Sequence, residues 1–263
     1  MQESQRQQYL QAMGIQLWES RISELDMMEY QQSETGHADF IDEPAAVQSA
    51  SVLAEPVPVP AVESISEVIQ PDQKSPADWE SLKKQVETCT LCGLHEGRIY
   101  PVFGAGDRDA SVMVIGEAPG ADEDRQGEPF TGQAGQLFNK ILFAAGFQRE
   151  QVFITNIIKC RPPGNRDPHI NEVSSCMPYL KQQIQWVKPD IILAVGRIAA
   201  HNLLNNNTNT PLSSLRGSLQ AMNGLDTPVI VTYHPAYLLR KPSEKGKVWE
   251  DMQLLTDFLS RKD

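Results

Sequence analysis

The sequence predicts an α/β fold: a doubly wound, mostly parallel four-stranded sheet flanked by helices, preceded by a disordered amino-terminal extension. Two observations carry this. From residue 77 onward, strand-length runs nearly continuous in Val and Ile alternate with helix-length amphipathic segments, which is how parallel strands buried on both faces and joined by crossover helices read. Ahead of residue 77 the texture is different, for residues 1–78 hold 14 acidic and 3 basic residues while the remainder holds 20 of each. The whole formal charge of −11 therefore belongs to the extension. Spread over the fold, that charge would oppose a nucleic-acid partner; a neutral fold can still offer a local basic face to phosphates.

Taken in order, residues 1–25 carry Leu10, Met13, Leu17 and Trp18 at near-helical spacing, interrupted by Gly14. This predicts a short amphipathic docking peptide, too small to fold alone. Residues 26–76 are rich in Glu, Ser, Val and Pro, include EPVPVP at 55–60 and have no aromatic residue after Phe40, a composition expected of a disordered acidic linker. The folded domain is expected over 77–263. Its strands are VMVIG (112–116), VFITNI (152–157), DIILAVG (190–196) and PVIVTY (228–233), and its helices are 133–146, 170–186, 197–204 and 245–261. In such folds ligands bind beyond the carboxyl ends of the strands. The residues that follow the four runs are GEAPG, Asn156 with KCRPPGNR, GRIAA and HPAYLLR.

Four cysteines are spaced C-x2-C, then 67 residues, then C-x15-C: Cys89, Cys92, Cys160 and Cys176. Four unrelated buried thiols would be the simpler account. The tight turn between Cys89 and Cys92 favours a metal knuckle, and sulfur coordination suits either zinc or an iron–sulfur cluster, which spacing does not separate. The opening MQESQRQQYL lacks the basic stretch and apolar run of a signal peptide, and no apolar run approaches membrane-spanning length. A cytoplasmic protein with reduced thiols and no membrane association is expected.

The segment GEAPGADEDRQGEPFTGQAGQLF (116–138) leaves a strand and enters a helix through a glycine-rich loop. It matches neither a P-loop nor a dinucleotide fingerprint, and taken alone it reads as an acidic surface loop. Together with TNIIKCRPPGNRDP (155–168) and HPAYLLR (234–240), it closely resembles the family 4 uracil-DNA glycosylases, over about residues 79–259. The resemblance implies the uracil-DNA glycosylase-like fold, a monomeric domain and a monofunctional enzyme that hydrolyses the bond between uracil and deoxyribose. It also implies a [4Fe-4S] cluster on Cys89, Cys92, Cys160 and Cys176, structural and near the DNA-binding surface. Such an enzyme must turn the nucleotide out of the duplex and read its Watson–Crick edge. Phe130 resembles the stacking platform, Asn156 the reader of O4 and N3–H, and His234 the donor to O2 as charge grows on the leaving base. Gly116 and Ala118 complete the substrate-binding set. Glu117 is the first candidate to stabilise the oxocarbenium-like sugar or polarise water, with Asn165 and Glu123 positioning water or shaping the pocket. Leu238, Leu239 and Arg240 look like the wedge that holds the duplex open, supported by Tyr237, and Arg161, Arg166, Arg216 and Lys241 are candidate phosphate contacts.

The run QYLQAMGIQLW (8–18) resembles the beginning of the psi subunit of bacterial DNA polymerase III, with Leu10, Met13, Gly14, Ile15 and Trp18 in the matching places. That resemblance implies recruitment to a clamp-loader or other replisome protein through residues 1–22. Two further readings differ in kind: a non-catalytic replisome adaptor with a glycosylase-like DNA-binding domain, and a glycosylase for another deaminated base. The joint presence of Glu117, Phe130, Asn156, Asn165 and His234 argues against a remnant, which has no need of the full set.

Overall fold

A computed structural model describes residues 78–204, 210–222, 224 and 226–262. The expected docking peptide and acidic linker lie outside the described residues. Among the described residues no helix is long and apolar enough to cross a membrane.

The chain enters through α1 (Trp79–Glu87), whose first turn is capped by the Asp78 carboxylate accepting from the Ser81 N–H at 2.7 Å. The four predicted apolar runs become β2 (Val112–Gly116), β3 (Phe153–Asn156), β4 (Ile191–Val195) and β6 (Pro228–Thr232). All neighbouring pairs among them are parallel, in the order β3-β2-β4-β6. The sheet is wider than predicted. Two short strands, β1 (Ala105–Gly106) and β5 (Leu219–Ala221), add antiparallel edges next to β3 and β6, making six mixed strands. At two and three residues they are too short to give a periodic signal.

Alternation along each strand divides the core in two. Met113, Ile115, Ile192, Ala194, Val229 and Val231 face a layer containing α1, α4 (Ile170–Val187) and α5 (Arg197–Leu204). Val112, Val114, Ile154, Leu193, Val195 and Ile230 face α3 (Gln133–Ala144), α7 (Pro235–Arg240) and α8 (Lys245–Ser260). Two short helices lie outside the predicted set, one of them within a stretch that reads as a surface loop. Within the acidic stretch, Ala121–Gln126 forms α2, and within HPAYLLR the six residues after His234 form α7, with Pro235 in its first turn. Proline is favoured there because its fixed φ suits the helix and its missing N–H is not needed. A further short helix, α6, spans Leu212–Leu215.

Candidate active site

The chain leaves β2, β3 and β6 on the same edge of the sheet, and with the 157–169 loop these exits surround a cleft of about 470 Å3. Of the predicted site residues, Glu117, Ala118, Glu123, Phe130, Asn156, Asn165, His234 and Arg240 line it. Gly116 lies behind the wall. It pairs in register with Asn156, and a methyl group on it would fall 2.4 Å from Asn156 Oδ1 and 2.9 Å from the Phe130 ring. Gly116 thus makes room for the two residues that face the cleft.

Phe130 is held in an unusual conformation. Its φ of 52° lies in the left-handed region, costly for a bulky residue unless its surroundings enforce it. Those surroundings include Gly135, where any side chain would collide with the Phe130 carbonyl. They also include Arg149, whose guanidinium donates to the Phe130 and Pro129 carbonyls and, at 3.0 Å, to Asn139 Oδ1. The ring packs on Phe138 at 5.0 Å and stacks against His234 at 5.8 Å between centroids.

His234 caps α7, its Nδ1 accepting the Ala236 N–H at 3.2 Å. Nε2 is then the nitrogen that carries the proton in the neutral ring. Withdrawal from water and the nearby Arg240 charge push its pKa down to about 4, against the opposing pull of Glu123. The ring is neutral at physiological pH. Glu117 behaves in the opposite sense: burial and the Asp167 charge raise its carboxyl to about 7, with Arg197 opposing. Neither the Glu117 carboxylate nor the Asn156 amide has a hydrogen-bond partner among the described residues.

Glu123 is not a free carboxylate. Oε1 accepts the Thr131 and Gly132 N–H groups at 2.9 and 3.0 Å, and Oε2 accepts the Gly120 N–H at 3.0 Å. It clasps the starts of α2 and α3, where unpaired backbone donors favour an anion. Asn165, also at positive φ, accepts from Arg161 Nε at 2.7 Å and keeps its Nδ2 for other partners.

Other predicted roles change. Leu238 is 0% exposed and belongs to the core under α7, so it cannot enter a groove; Leu239, 47% exposed, and Arg240 face outward. Arg216 is spent on the fully buried Asp251, donating from Nη2 and Nε at 2.9 and 3.1 Å. Arg166 forks onto Glu172 at 2.7 and 2.8 Å. Arg161 is half-buried and Lys241 exposed, the latter over the Tyr237 ring.

The family profile described as uracil DNA glycosylase superfamily matches residues 103–253. The type-4 uracil-DNA glycosylase of Pyrobaculum aerophilum is 41% identical over 181 residues, which is 67% of this chain and 92% of that protein. The type-4 enzyme of Archaeoglobus fulgidus is 36% identical over 70% of this chain and 94% of its own length. A type-5 uracil-DNA glycosylase of P. aerophilum matches less, at 33% identity over 52% of this chain and 66% of that protein. The chain belongs to the type-4 uracil-DNA glycosylases.

The cysteines gather away from the cleft. Cys89, Cys92, Cys160 and Cys176 all line one cavity between α1, the 157–169 loop and α4, together with His95, Arg98 and Lys159. Among the described residues no three His, Cys, Asp or Glu side chains are placed to share one metal ion. A single zinc would need its sulfurs about 2.3 Å from one point, and the four cysteines, though they line one cavity, are not grouped in that way. Burial pushes the Cys176 thiol up to about 12, and such a group gives up its proton only to a strongly cationic centre.

Four residues around these two sites have no place among the sequence-based expectations: Arg149, Lys159, Asp167 and Arg197. Arg149 reaches Phe130 from 19 residues away, and Asp167 bonds Arg197 at 2.5 Å across 30 residues. No local pattern encodes contacts of that range. Lys159 does carry a signal: it is a lysine inside a motif, next to a cysteine and just after a buried strand.

Proposed function

We infer that this chain is a monofunctional uracil-DNA glycosylase of base excision repair, which hydrolyses the N-glycosidic bond of a flipped-out deoxyuridine and leaves an abasic site. The observation that carries this reading is the placement of three polar groups around the Phe130 platform that have no partner among the described residues: the Asn156 amide, the His234 Nε2–H and the Glu117 carboxylate. The extruded base stacks on Phe130. The Asn156 amide can donate to O4 and accept from N3–H, a pattern that cytosine reverses. As the bond lengthens, electrons move onto the base, and the neutral His234 donates to O2, where a fixed donor is worth about 3–4 kcal/mol. Glu117, with its carboxyl near neutrality, suits a base at working pH. In that role an ionised carboxylate stabilises the oxocarbenium-like sugar and polarises water. The free Nδ2 of Asn165 can orient that water, and Leu239 with Arg240 fits the wedge. Among the described residues no lysine lines the cleft, in keeping with water as the attacking group.

Cys89, Cys92, Cys160 and Cys176 are proposed to hold a [4Fe-4S] cluster, supported by their shared cavity and by the iron–sulfur character of the type-4 enzymes. When bound, the cluster would brace the 157–169 loop against α1 and α4, and it takes no part in the chemical steps. Residues 1–25 are proposed as a docking peptide for a clamp-loader protein, tethered by the acidic linker 26–76. The protein is proposed to work as a cytoplasmic, nucleoid-associated monomer. A synthetic 1–25 peptide should bind purified clamp-loader complex, and absence of binding would remove that part of the reading.

The experiment for the activity is to incubate anaerobically purified protein with single- and double-stranded oligonucleotides bearing one uracil, hypoxanthine, xanthine or cytosine, and to measure alkali-labile sites. Cleavage confined to uracil is the expected result. Cleavage only at another base would change the substrate, and none from iron-loaded protein would leave a DNA-binding adaptor.

A further inference from the structure

Lys159 is a lysine with almost no exposure, 1% by area. An ammonium has three donors and no acceptor, and burying one costs several kcal/mol unless all three are used. Here they are used. Nζ donates to Thr155 Oγ1 at 2.6 Å, to Gln183 Oε1 at 2.7 Å and to the Asn156 carbonyl at 2.8 Å. The acceptors are themselves fixed, since the Thr155 hydroxyl and the Gln183 Nε2–H both donate to the Phe103 carbonyl at 2.9 Å. The other end of the same residue touches the thiol cavity. Its backbone N–H donates to Cys176 Sγ at 3.3 Å, and it immediately precedes Cys160. A second cation, Arg98, donates to Cys160 Sγ at 3.0 Å and to the Glu87 carbonyl at 2.7 Å.

We propose that Lys159 is a positioning residue that fixes the uracil-reading Asn156 from behind and ties it to the cysteine cage, where Lys159 and Arg98 serve as counter-cations to the cluster. The proposal rests on the reading that the four cysteines hold a [4Fe-4S] cluster. The physical grounds are charge and geometry. Four thiolates around a [4Fe-4S]2+ core leave a net charge of about −2; the Arg98 guanidinium borders their cavity, and the Lys159 ammonium stands behind it at the far end of a residue whose backbone lines it. The Lys159 ammonium cannot relax toward the cluster without releasing the Asn156 carbonyl, because its three donors are already committed. Asn156 ends β3 and its amide selects the base, so a small turn of that peptide moves the selecting group directly. Outer partners of this kind typically contribute about 10–100-fold in activity or metal affinity.

The test is Lys159→Met in the full-length protein, beside Arg98→Met and the near-isosteric Thr155→Val, with iron content and the cluster's midpoint potential measured by redox titration. Removing a cation from beside the cluster disfavours the reduced, more negative state, so both Met variants should titrate at more negative potential than wild type. Only the variants around Asn156 should also lose substrate reading. For Lys159→Met, KM for uracil DNA and inhibition by free uracil should weaken about 10–100-fold, and Thr155→Val should weaken them by less, at unchanged potential. Arg98→Met should leave uracil inhibition as in wild type. Should Lys159→Met fail to fold, Thr155→Val and Arg98→Met still separate the two effects. Iron-replete Lys159→Met with wild-type potential and wild-type uracil inhibition would overturn the proposal alone. Wild-type protein that never acquires iron would overturn the cluster reading and the proposal with it.

Discussion

The cleft and the wall behind it treat polar groups in opposite ways. In the cleft, Glu117 and the Asn156 amide have no partners among the described residues, and His234 uses one nitrogen only. Behind it, every donor of Lys159 is engaged. Under β6 the Asp251 carboxylate accepts from Arg216 and from Thr232 at 2.8 Å. Both regions withdraw charge from water, which is expensive. The wall offsets the cost internally and gains rigidity, whereas the cleft leaves it uncompensated until a substrate arrives. Two carboxylates six residues apart show the same contrast: Glu123 is clasped by three backbone N–H groups, and Glu117 is raised to about 7.

Substitutions should therefore separate stability from chemistry according to side. The largest effect expected is on the wall. Arg216→Met strands the buried Asp251 charge and should cost about 3–5 kcal/mol in a denaturant titration, while excision by the fraction that remains folded stays near wild type. A large loss of rate per folded molecule would place Arg216 in contact with DNA after all. Next come the adjacent leucines of α7. Leu238→Ala opens a core cavity and should cost about 2–5 kcal/mol. Leu239→Ala should leave stability within about 0.5 kcal/mol but lower excision from duplex relative to single-stranded DNA. Equal behaviour of the two would erase the distinction between core and wedge.

A smaller effect lies in pH. If Glu117 works as a carboxylate, single-turnover excision should rise as pH passes about 7, and Glu117→Gln should be slow and flat across that range. His234, neutral above about 4, should add no second inflection between pH 5 and 8. Stability follows by linkage. The folded-state pKa of Glu117 is raised, so its contribution is present below about 4.5 and is lost as pH rises through about 7. Glu117→Gln should then gain stability relative to wild type above pH 7. The His234 pKa is depressed, so its contribution is present above about 6.5 and lost as pH falls toward 4. A thermal melt series from pH 4 to 8.5 on both proteins reads these slopes.

Much of this is legible in the sequence because it is local. The four Val- and Ile-rich runs set the strands, and the three motifs name the cleft residues, since each motif begins where a strand ends. What escapes is relational. The short edge strands exist only through pairing with β3 and β6. In HPAYLLR, helical geometry turns Leu238 inward and Leu239 outward, a difference of about 100° per residue that a linear motif does not display. The role of Arg149 depends on a chain reversal, and that of Glu123 on two helix starts meeting at one carboxylate. Four cysteines spread over 88 residues point to a shared centre, but that they line one cavity is a relation that spacing does not display.

The most direct measurement is a single-turnover time course of uracil excision by wild type and by His234→Ala, matched for iron content and melting temperature. Wild type should convert the uracil oligonucleotide to abasic product, and the variant should do so about 10²–10³-fold more slowly with DNA binding retained. Equal rates would contradict the assignment of His234 as the donor to the departing base, and with it the central account of the cleft.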